Sequence, residues 1–319
     1  MLDKLIFLGL YLNPFVAKNE KYMGKIYSLA DSGIINLIVI DLKTEHGKVW
    51  FDEKELKEIS KKCEEKNIYL IVRIVCFLDN YLSKKEPERA ILSKKTHNLW
   101  QDIHGNNWLN PFDTLNWNYN IEIAEFAAKC NVKEIHFDYL RFPSDGDLLD
   151  MDLKNQLNLE KEEVIKEFLR KAFLRLKKYD VLIVPCLFGF SPFWNSIKRE
   201  GQKIEEVSKY SDRIALMLYP SHYGRNFLKE AEPLRERAIY FEGVILGKIR
   251  SGIPVEAYVQ GFNYKAKNFG KEYIVEQIKG AIIAGAEKII IWNAAGEYKY
   301  AIEALKEIKN EIVNNFISD

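Results

Sequence analysis

The sequence predicts a (β/α)8 barrel, a single domain over residues 1–319 with long βα loops at its carboxyl-terminal face. Short apolar runs recur along the chain, and amphipathic stretches separate them. Most runs are continuous rather than alternating, which is typical of strands that are buried on both faces of a parallel sheet. A count of about eight strand–helix units in roughly 300 residues matches the size of this fold.

Eight strands are predicted, and each is followed by enough chain for a crossover. They cover residues 5–11, 36–42, 69–77, 134–140, 181–187, 213–218, 255–260 and 288–292. Helical spacing of apolar residues predicts helices over 52–66, where Asp52 and Glu55 form a capping box, over 160–179 and 273–284, and in a last segment that contains Ile302 and Ile312. A doubly wound open sheet is the alternative, but that fold usually has a glycine-rich turn after its first strand, and Asn13, Pro14 and Phe15 follow here.

The charge balance argues against two classes of partner. A net charge of +1 leaves no basic excess for a nucleic-acid backbone. No apolar run approaches the ~20 residues of a membrane-spanning helix. Residues 5–12 are too short an apolar run for a signal peptide, so we expect a cytoplasmic protein unless the natural chain carries an export signal ahead of this sequence. The abundance of Lys, Glu and Ile is typical of a thermophilic source.

No pattern of metal ligands or cofactor contacts occurs, so we expect neither a metal nor a cofactor. The four cysteines are far apart, which indicates small buried residues in a reducing compartment. The five histidines form no zinc-binding motif. We expect His136 to be a hydrogen-bonded core residue and Cys186 to be an inert thiol on a buried strand.

The strongest functional signal is Asp138, near the end of the fourth predicted strand. A carboxylate at the tip of a buried strand is costly to desolvate unless it is paired or used. Two interpretations of this stretch stay open. Asp138 is either an active-site carboxylate or one half of a structural ion pair with Arg141.

Other polar residues also stand at strand ends, which meet at one face of a barrel. Side-chain alternation places Asp41 and Asp138 toward the barrel axis. The long third connection adds Trp108 and further aromatic residues; one tryptophan by itself more often packs its loop, but the set favours a cleft for sugar rings. The residues expected to bind substrate are Lys43, Arg73, Asp79, Trp108, Arg141, Tyr219, His222, Tyr223, Gln260, Trp292 and Asn293.

Acids, cations, aromatic rings and amides together favour glycoside hydrolysis, in which one carboxylate attacks or activates water and a carboxylic acid protonates the leaving oxygen. Asp138 is the expected nucleophile or base, with Arg73 or Arg141 as the cation that keeps it ionised. Glu45 is the first choice for the acid. Asp41 and Glu297 follow, since we expect Asp41 to be paired with Lys43.

Several segments resemble the DUF4015 family of glycoside-hydrolase-like barrels. They are residues 41–47 (DLKTEHG), 77–79 (FLD), 100–120, 137–146 (FDYLRFPSDG), 219–223 (YPSHY), 260–262 (QGF) and 291–294 (IWNA). The resemblance covers nearly the whole chain and implies a TIM barrel with a carbohydrate-related activity. One position departs from the family pattern, because Cys186 stands where an acid is usual on the fifth strand, a place where several retaining barrel glycosidases keep their general acid.

Two other functions stay open. The cysteine on the fifth strand favours a barrel that binds glycans without cleaving them. Gly261 and Gly296, near the ends of the last two strands, are compatible with an enzyme that acts on a phosphorylated small molecule. In the favoured interpretation the partner is a carbohydrate substrate, and the sequence does not predict an oligomeric state.

Overall fold

The barrel is closed by eight parallel strands in the computed structural model, which describes residues 6–195, 198–231 and 234–317. The strands are β1 Phe7–Leu12, β2 Leu37–Lys43, β3 Tyr69–Val75, β4 Glu134–Asp138, β5 Leu182–Phe188, β6 Ile214–Met217, β7 Val255–Gln260 and β8 Lys288–Trp292. β1 pairs with both β2 and β8, which closes the sheet. The predicted (β/α)8 fold is therefore confirmed, and Leu5, at the start of the first predicted strand, lies outside the described residues.

Helices surround the barrel. They are α1 Glu20–Asp31, α2 Glu53–Glu65, α3 Thr114–Lys129, α4 Lys161–Leu176, α5 Ile204–Val207, α6 Arg235–Ser251, α7 Lys271–Ile283 and α8 Lys299–Ile317. The four predicted helices correspond to α2, α4, α7 and α8, and the capping box of Asp52 and Glu55 is present at the start of α2. No helix in the described ranges is long and apolar enough to cross a membrane.

Two layers of apolar side chains result from strand alternation. One layer fills the space between the strands and the helices. The other lies inside the barrel and includes Leu37, Val39, Val184, Tyr258 and Ile290. Successive side chains of a strand point to opposite faces, so strands that are buried on both sides need apolar residues at most positions.

A buried charged cluster closes the amino-terminal end of the barrel. Lys288, the first residue of β8, donates to Glu134 Oε2 at 2.5 Å and to Glu256 Oε1 at 2.6 Å. His136 binds Glu134 Oε1 at 2.7 Å through Nε2 and the hydroxyl of Tyr258 at 2.8 Å through Nδ1. His136 is therefore a hydrogen-bonded core histidine, as expected.

The cluster compensates its own charges. Burial by itself would raise the pKa of Glu134, but the hydrogen bonds and positive charges of His136 and Lys288 hold it below its usual value. Glu134, His136 and Glu256 bring three ligand atoms within 4.8 Å of one another. The ammonium group of Lys288 already bonds both carboxylates, so it takes the position that a cation would need.

Replacing Lys288 tests this balance. We expect Lys288→Met to lower the free energy of unfolding by about 3–5 kcal/mol, because two buried carboxylates lose their ammonium partner. Urea denaturation measures the change, and Lys306→Met, at an exposed position of α8, is the control with little expected effect. A cost below about 1 kcal/mol for Lys288→Met would show that the cluster tolerates an unpaired acid.

Candidate active site

Arg73 joins two carboxylates at the carboxyl-terminal end of the barrel. Its Nε and Nη2 donate to Asp138 Oδ2 at 2.8 and 2.6 Å, and its Nη1 donates to Asp41 Oδ1 at 2.7 Å. The three residues lie on the adjacent strands β2, β3 and β4, and Asp41 is directly opposite Arg73 in the sheet. All three are almost fully buried. One guanidinium therefore neutralises one of two buried negative charges.

Asp41, one of these two carboxylates, is enclosed by neighbouring side chains. Its Oδ2 accepts a hydrogen bond from the hydroxyl of Tyr11 at 2.6 Å. The ring of Trp292 lies 3.7 Å from the ring of Tyr11 and 4.6 Å from the Arg73 guanidinium, measured between centres. Burial raises the pKa of Asp41, against the opposing effects of Arg73 and Tyr11. Both oxygens of Asp41 are engaged within the protein.

Asp138, by contrast, lines an open cavity. Its Oδ1 accepts a hydrogen bond from the backbone N–H of Tyr139 at 2.6 Å. Tyr139 has a φ of 48°, a left-handed conformation that is uncommon for a residue with a side chain. Residues held in such conformations cluster at functional sites. The turn at the end of β4 thus holds both oxygens of Asp138. Oδ2 accepts hydrogen bonds from Arg73, and Oδ1 accepts one from the backbone N–H of Tyr139.

The cavity above Asp138 has a volume of about 220 Å³ and walls that are mainly apolar. Its lining residues are Arg73, Asp138, Tyr139, Arg141, Cys186, Leu187, Phe188, Gln202, Met217, Tyr219, His222, Phe262 and Trp292. The volume is below the ≈ 300 Å³ at which ordinary ligand pockets begin, so the cavity admits a small group such as one ring of a longer substrate.

Tyr219 and His222 supply polar groups to the cavity wall. Tyr219 is buried, and its hydroxyl has no hydrogen-bond partner among the described residues. His222 stands at the rim with part of its ring exposed. Partial burial, together with the positive charges of Lys265 and Arg141, lowers the pKa of His222 to about 4. The imidazole is therefore neutral near pH 7.

Glu45 lies on the loop after β2, with 43% of its side chain exposed. Its negative charge contributes to raising the pKa of Asp41 and of Tyr139, so its carboxylate is within electrostatic reach of both groups. Glu297 is exposed and does not line the cavity. Of these two candidates for the general acid, Glu45 is therefore the one whose charge acts on Asp41 and Tyr139.

Of the two cations expected beside Asp138, Arg73 forms the ion pair and Arg141 does not. The expected pair of Lys43 with Asp41 is wrong. Lys43 is paired with Asp79 at 2.8 Å and not with Asp41. A shift of register between Asp41 and Lys43 is the reason, because it breaks the alternation that would have pointed both side chains inward.

The Lys43–Asp79 pair lies outside the barrel wall. Both side chains are fully buried, and the Lys43 ammonium also donates to Val75 O at 2.6 Å and to Asn120 Oδ1 at 3.3 Å. Gly47 allows its loop to pack against Asp79, since a Cβ at this position would lie 2.2 Å from Asp79 Oδ1. Its φ of +73° also favours glycine. Lys43 and Asp79 therefore offer no surface to a substrate, and we correct the expectation that they bind it.

Four other expected sugar-binding residues do not line the cavity, because their polar groups are used within the protein. They are Trp108, which donates to Asp102; Tyr223, which donates to Gly189; Gln260, which bonds Ser221, Phe262 and Tyr264; and Asn293, which bonds Gly261, Ala295 and Glu297. The tryptophans Trp100, Trp108 and Trp117 are buried in the long loop and its helix. This set packs the loop instead of forming the expected cleft.

Tyr219, His222 and Trp292 were expected at the cavity, but part of its aromatic surface comes from residues that the sequence analysis did not select. Tyr139 follows β4, Phe188 ends β5 and Phe262 follows β7. Their positions near strand ends were the signal in the sequence that could have identified them. Gln202 comes from the β5–β6 connection and donates to Leu140 O and Cys186 O, at 3.2 and 3.1 Å. No spacing in the sequence relates Gln202 to these strands, so no local signal identified it.

Several solved structures share this fold. The chain is 13% identical to the PgaB (BpsB) glycoside hydrolase domain from Bordetella bronchiseptica, covering 94% of this chain and 98% of that chain with a TM-score of 0.70. It is 12% identical to the α-galactosidase TtGalA from Thermus thermophilus, covering 91% of this chain and 58% of that chain with a TM-score of 0.54. Identities at this level indicate the fold alone.

One similar structure has a higher identity. A hypothetical protein from Ruminiclostridium thermocellum ATCC 27405 is 32% identical, covering 55% of this chain and 96% of that chain with a TM-score of 0.50. No curated protein matches the chain. The model of the family DUF4015, described as "putative glycosyl hydrolase domain", matches residues 9–298. The chain belongs to the DUF4015 family.

Proposed function

We propose that the protein hydrolyses a glycosidic bond in an oligo- or polysaccharide, with Asp138 as nucleophile or general base and Glu45 as general acid. The observation that carries the proposal is the placement of Asp138. It is a carboxylate at the floor of an aromatic cavity, held by Arg73 at the end of a barrel strand. Active sites of this fold are built at that end of the barrel.

The geometry supports the role of Asp138. All three hydrogen bonds that it receives come from N–H groups, two from Arg73 and one from Tyr139. Its oxygens therefore act as acceptors, which suits attack on an anomeric carbon or on a water proton. The rings of Trp292, Phe262 and Tyr219 line the same cavity and offer flat surfaces for a sugar ring.

The acid has to come from outside the fifth strand. Cys186 occupies the strand-five position within the cavity, where its buried thiol has a raised pKa because of desolvation. Asp41 has both oxygens engaged by Arg73 and Tyr11. Glu45 is half-exposed and within electrostatic reach of Asp41, and its contact in the protein is the exposed imidazole of His46 at 3.6 Å, so we assign it as the carboxyl group that approaches a leaving oxygen. Retaining enzymes separate the two carboxyl groups by ~5–5.5 Å and inverting enzymes by ~6.5–9.5 Å.

A glycan-binding barrel without activity is the second candidate, and the thiol of Cys186 in the cavity favours it. It requires the same cavity to bind sugar with no turnover. The Asp138 experiment separates the two functions.

Substitution of Asp138 by Asn tests the nucleophile. We expect hydrolysis of a panel of aryl α- and β-glycosides and polysaccharides to fall by about 10²–10⁴-fold, because the amide neither attacks nor accepts a proton. Circular dichroism confirms that the variant is folded. Retained turnover would contradict the assignment. Binding of a glycan by both proteins, with turnover by neither, would establish the inactive barrel instead.

Substitution of Glu45 by Gln tests the acid through the leaving group. We expect hydrolysis of an unactivated oligosaccharide to fall by about 10²-fold or more, while a dinitrophenyl glycoside, whose leaving group needs no proton, falls by less than about tenfold. Glu297→Gln is the matched control and should behave as the wild type on both substrates. Equal losses on the two substrates, or a leaving-group effect in the control, would remove Glu45 from this role.

A further inference from the structure

We infer that the glycan is anionic, and that its carboxylate or sulfate groups lie against Arg141 in the cavity and against a basic groove that adjoins it. The inference rests on the proposed function for the choice of a glycan, and on the charges of both surfaces for its anionic character.

Arg141 is the first observation. It lines the cavity, and no described carboxylate lies within ion-pair distance of it. Its Nη1 donates to two neutral groups, Phe142 O at 3.0 Å and Ser144 Oγ at 3.3 Å. The rings of Trp108, Tyr139 and Phe188 surround the guanidinium at 4.9 to 5.4 Å from their centres. Because aromatic rings and neutral acceptors surround this half-buried cation, N–H donors of Arg141 stay available to an anionic group of a ligand.

The second observation is the groove beside the cavity. We define the basic groove as the cleft of about 1040 Å³ that carries the exposed side chains of Arg225, Lys265 and Lys267. None of these three cations forms an ion pair with a described side chain, although paired lysines are common elsewhere on the surface. Among the residues that the structure describes, one carboxylate, Glu236, also lines the groove. The described lining of the groove therefore has an excess of positive charge on a protein whose net charge is only +1.

The cavity and the basic groove meet at His222, which lines both. The charges of Lys265 and Arg141 both act on this imidazole, so the two surfaces form one electrostatic field. Unpaired cations spaced along a cleft attract a polyanion and raise its local concentration. A neutral glycan would leave all four cations without an anionic partner among the described side chains and the ligand, whereas a chain with a charged group on successive units places anions opposite them.

The experiment compares polymers that differ in charge. Binding to Asp138→Asn, which holds substrate without turnover, is measured by affinity electrophoresis at about 0.1 M NaCl. The pairs are carboxymethylcellulose with hydroxyethylcellulose, polygalacturonate with its methyl ester, and dextran sulfate with dextran. We expect at least one anionic member to bind about tenfold or more tightly than its neutral partner, and to weaken with added salt. The members that bind identify carboxylate or sulfate as the group.

Two triple variants distinguish the effect of the basic groove on binding from the effect of the protein's overall charge. Arg225→Gln/Lys265→Gln/Lys267→Gln should lose most of the preference for the anionic polymer, and Arg141→Gln should weaken binding further. Lys21→Gln/Lys61→Gln/Lys306→Gln removes the same charge from exposed helix positions and should keep the preference. Equal binding of the neutral and anionic members, no binding of any anionic polymer, or an equal loss in both triple variants would overturn the inference. Equally tight binding of a random DNA duplex would also overturn it, since the groove would then respond to charge alone.

Hydrolysis of the same polymers by the wild-type protein distinguishes this inference from the proposed function. Selective binding of an anionic glycan without cleavage would contradict the proposed hydrolysis and keep the anionic ligand. Cleavage of neutral glycans, with no preference for anionic ones, would support the proposed hydrolysis and contradict the anionic ligand.

Discussion

The bridge that Arg73 makes between Asp41 and Asp138 is the interaction on which the site depends. Two carboxylates on neighbouring strands, both almost fully buried, would repel each other and lose hydration. A planar guanidinium with several fixed donors satisfies both carboxylates at once. Because Asp41 takes one side of Arg73, the other side is oriented toward Asp138, which reaches the cavity. The role we propose for Asp138 follows from this division.

The inside of the barrel carries charge at both ends. Glu134, Glu256, Lys288 and His136 form a closed cluster at the amino-terminal end. Asp41, Arg73 and Asp138 stand at the other end beneath the cavity. Apolar residues such as Val39, Ile71 and Val184 lie inside the barrel with them. The first cluster bonds its own members and the neighbouring residues Tyr69, Tyr258 and Arg213, so it stabilises the barrel. The second carries a carboxylate that faces the cavity, in agreement with the separation of stability and activity that is general for this fold.

The fold could be predicted because strand and helix signals are local, whereas much of the site depends on contacts between strands and loops. Apolar runs located all eight strands, but α1, α3, α5 and α6 were not predicted. The buried residues of α3, among them Asn116 and Asn120, are not confined to an apolar stripe. The position of Asp138 at a strand end followed from the sequence. The choice of Arg73 over Arg141 as its partner required the register of β3 and β4, and the outward turn of Lys43 required a register shift that the sequence does not show. The long-loop tryptophans were misassigned, since composition does not distinguish a ring that packs a loop from a ring that faces a ligand.

A crystal structure of Asp138→Asn with a bound oligosaccharide would test the central claim most directly. The account predicts a sugar ring in the cavity between Trp292 and Tyr219, with its anomeric carbon about 3–3.5 Å from the residue 138 side chain or from a water bound to it. The glycosidic oxygen should lie within hydrogen-bond reach of Glu45. A sugar bound with its anomeric carbon away from residue 138, or outside this cavity, would contradict the assignment of Asp138 as the reacting carboxylate.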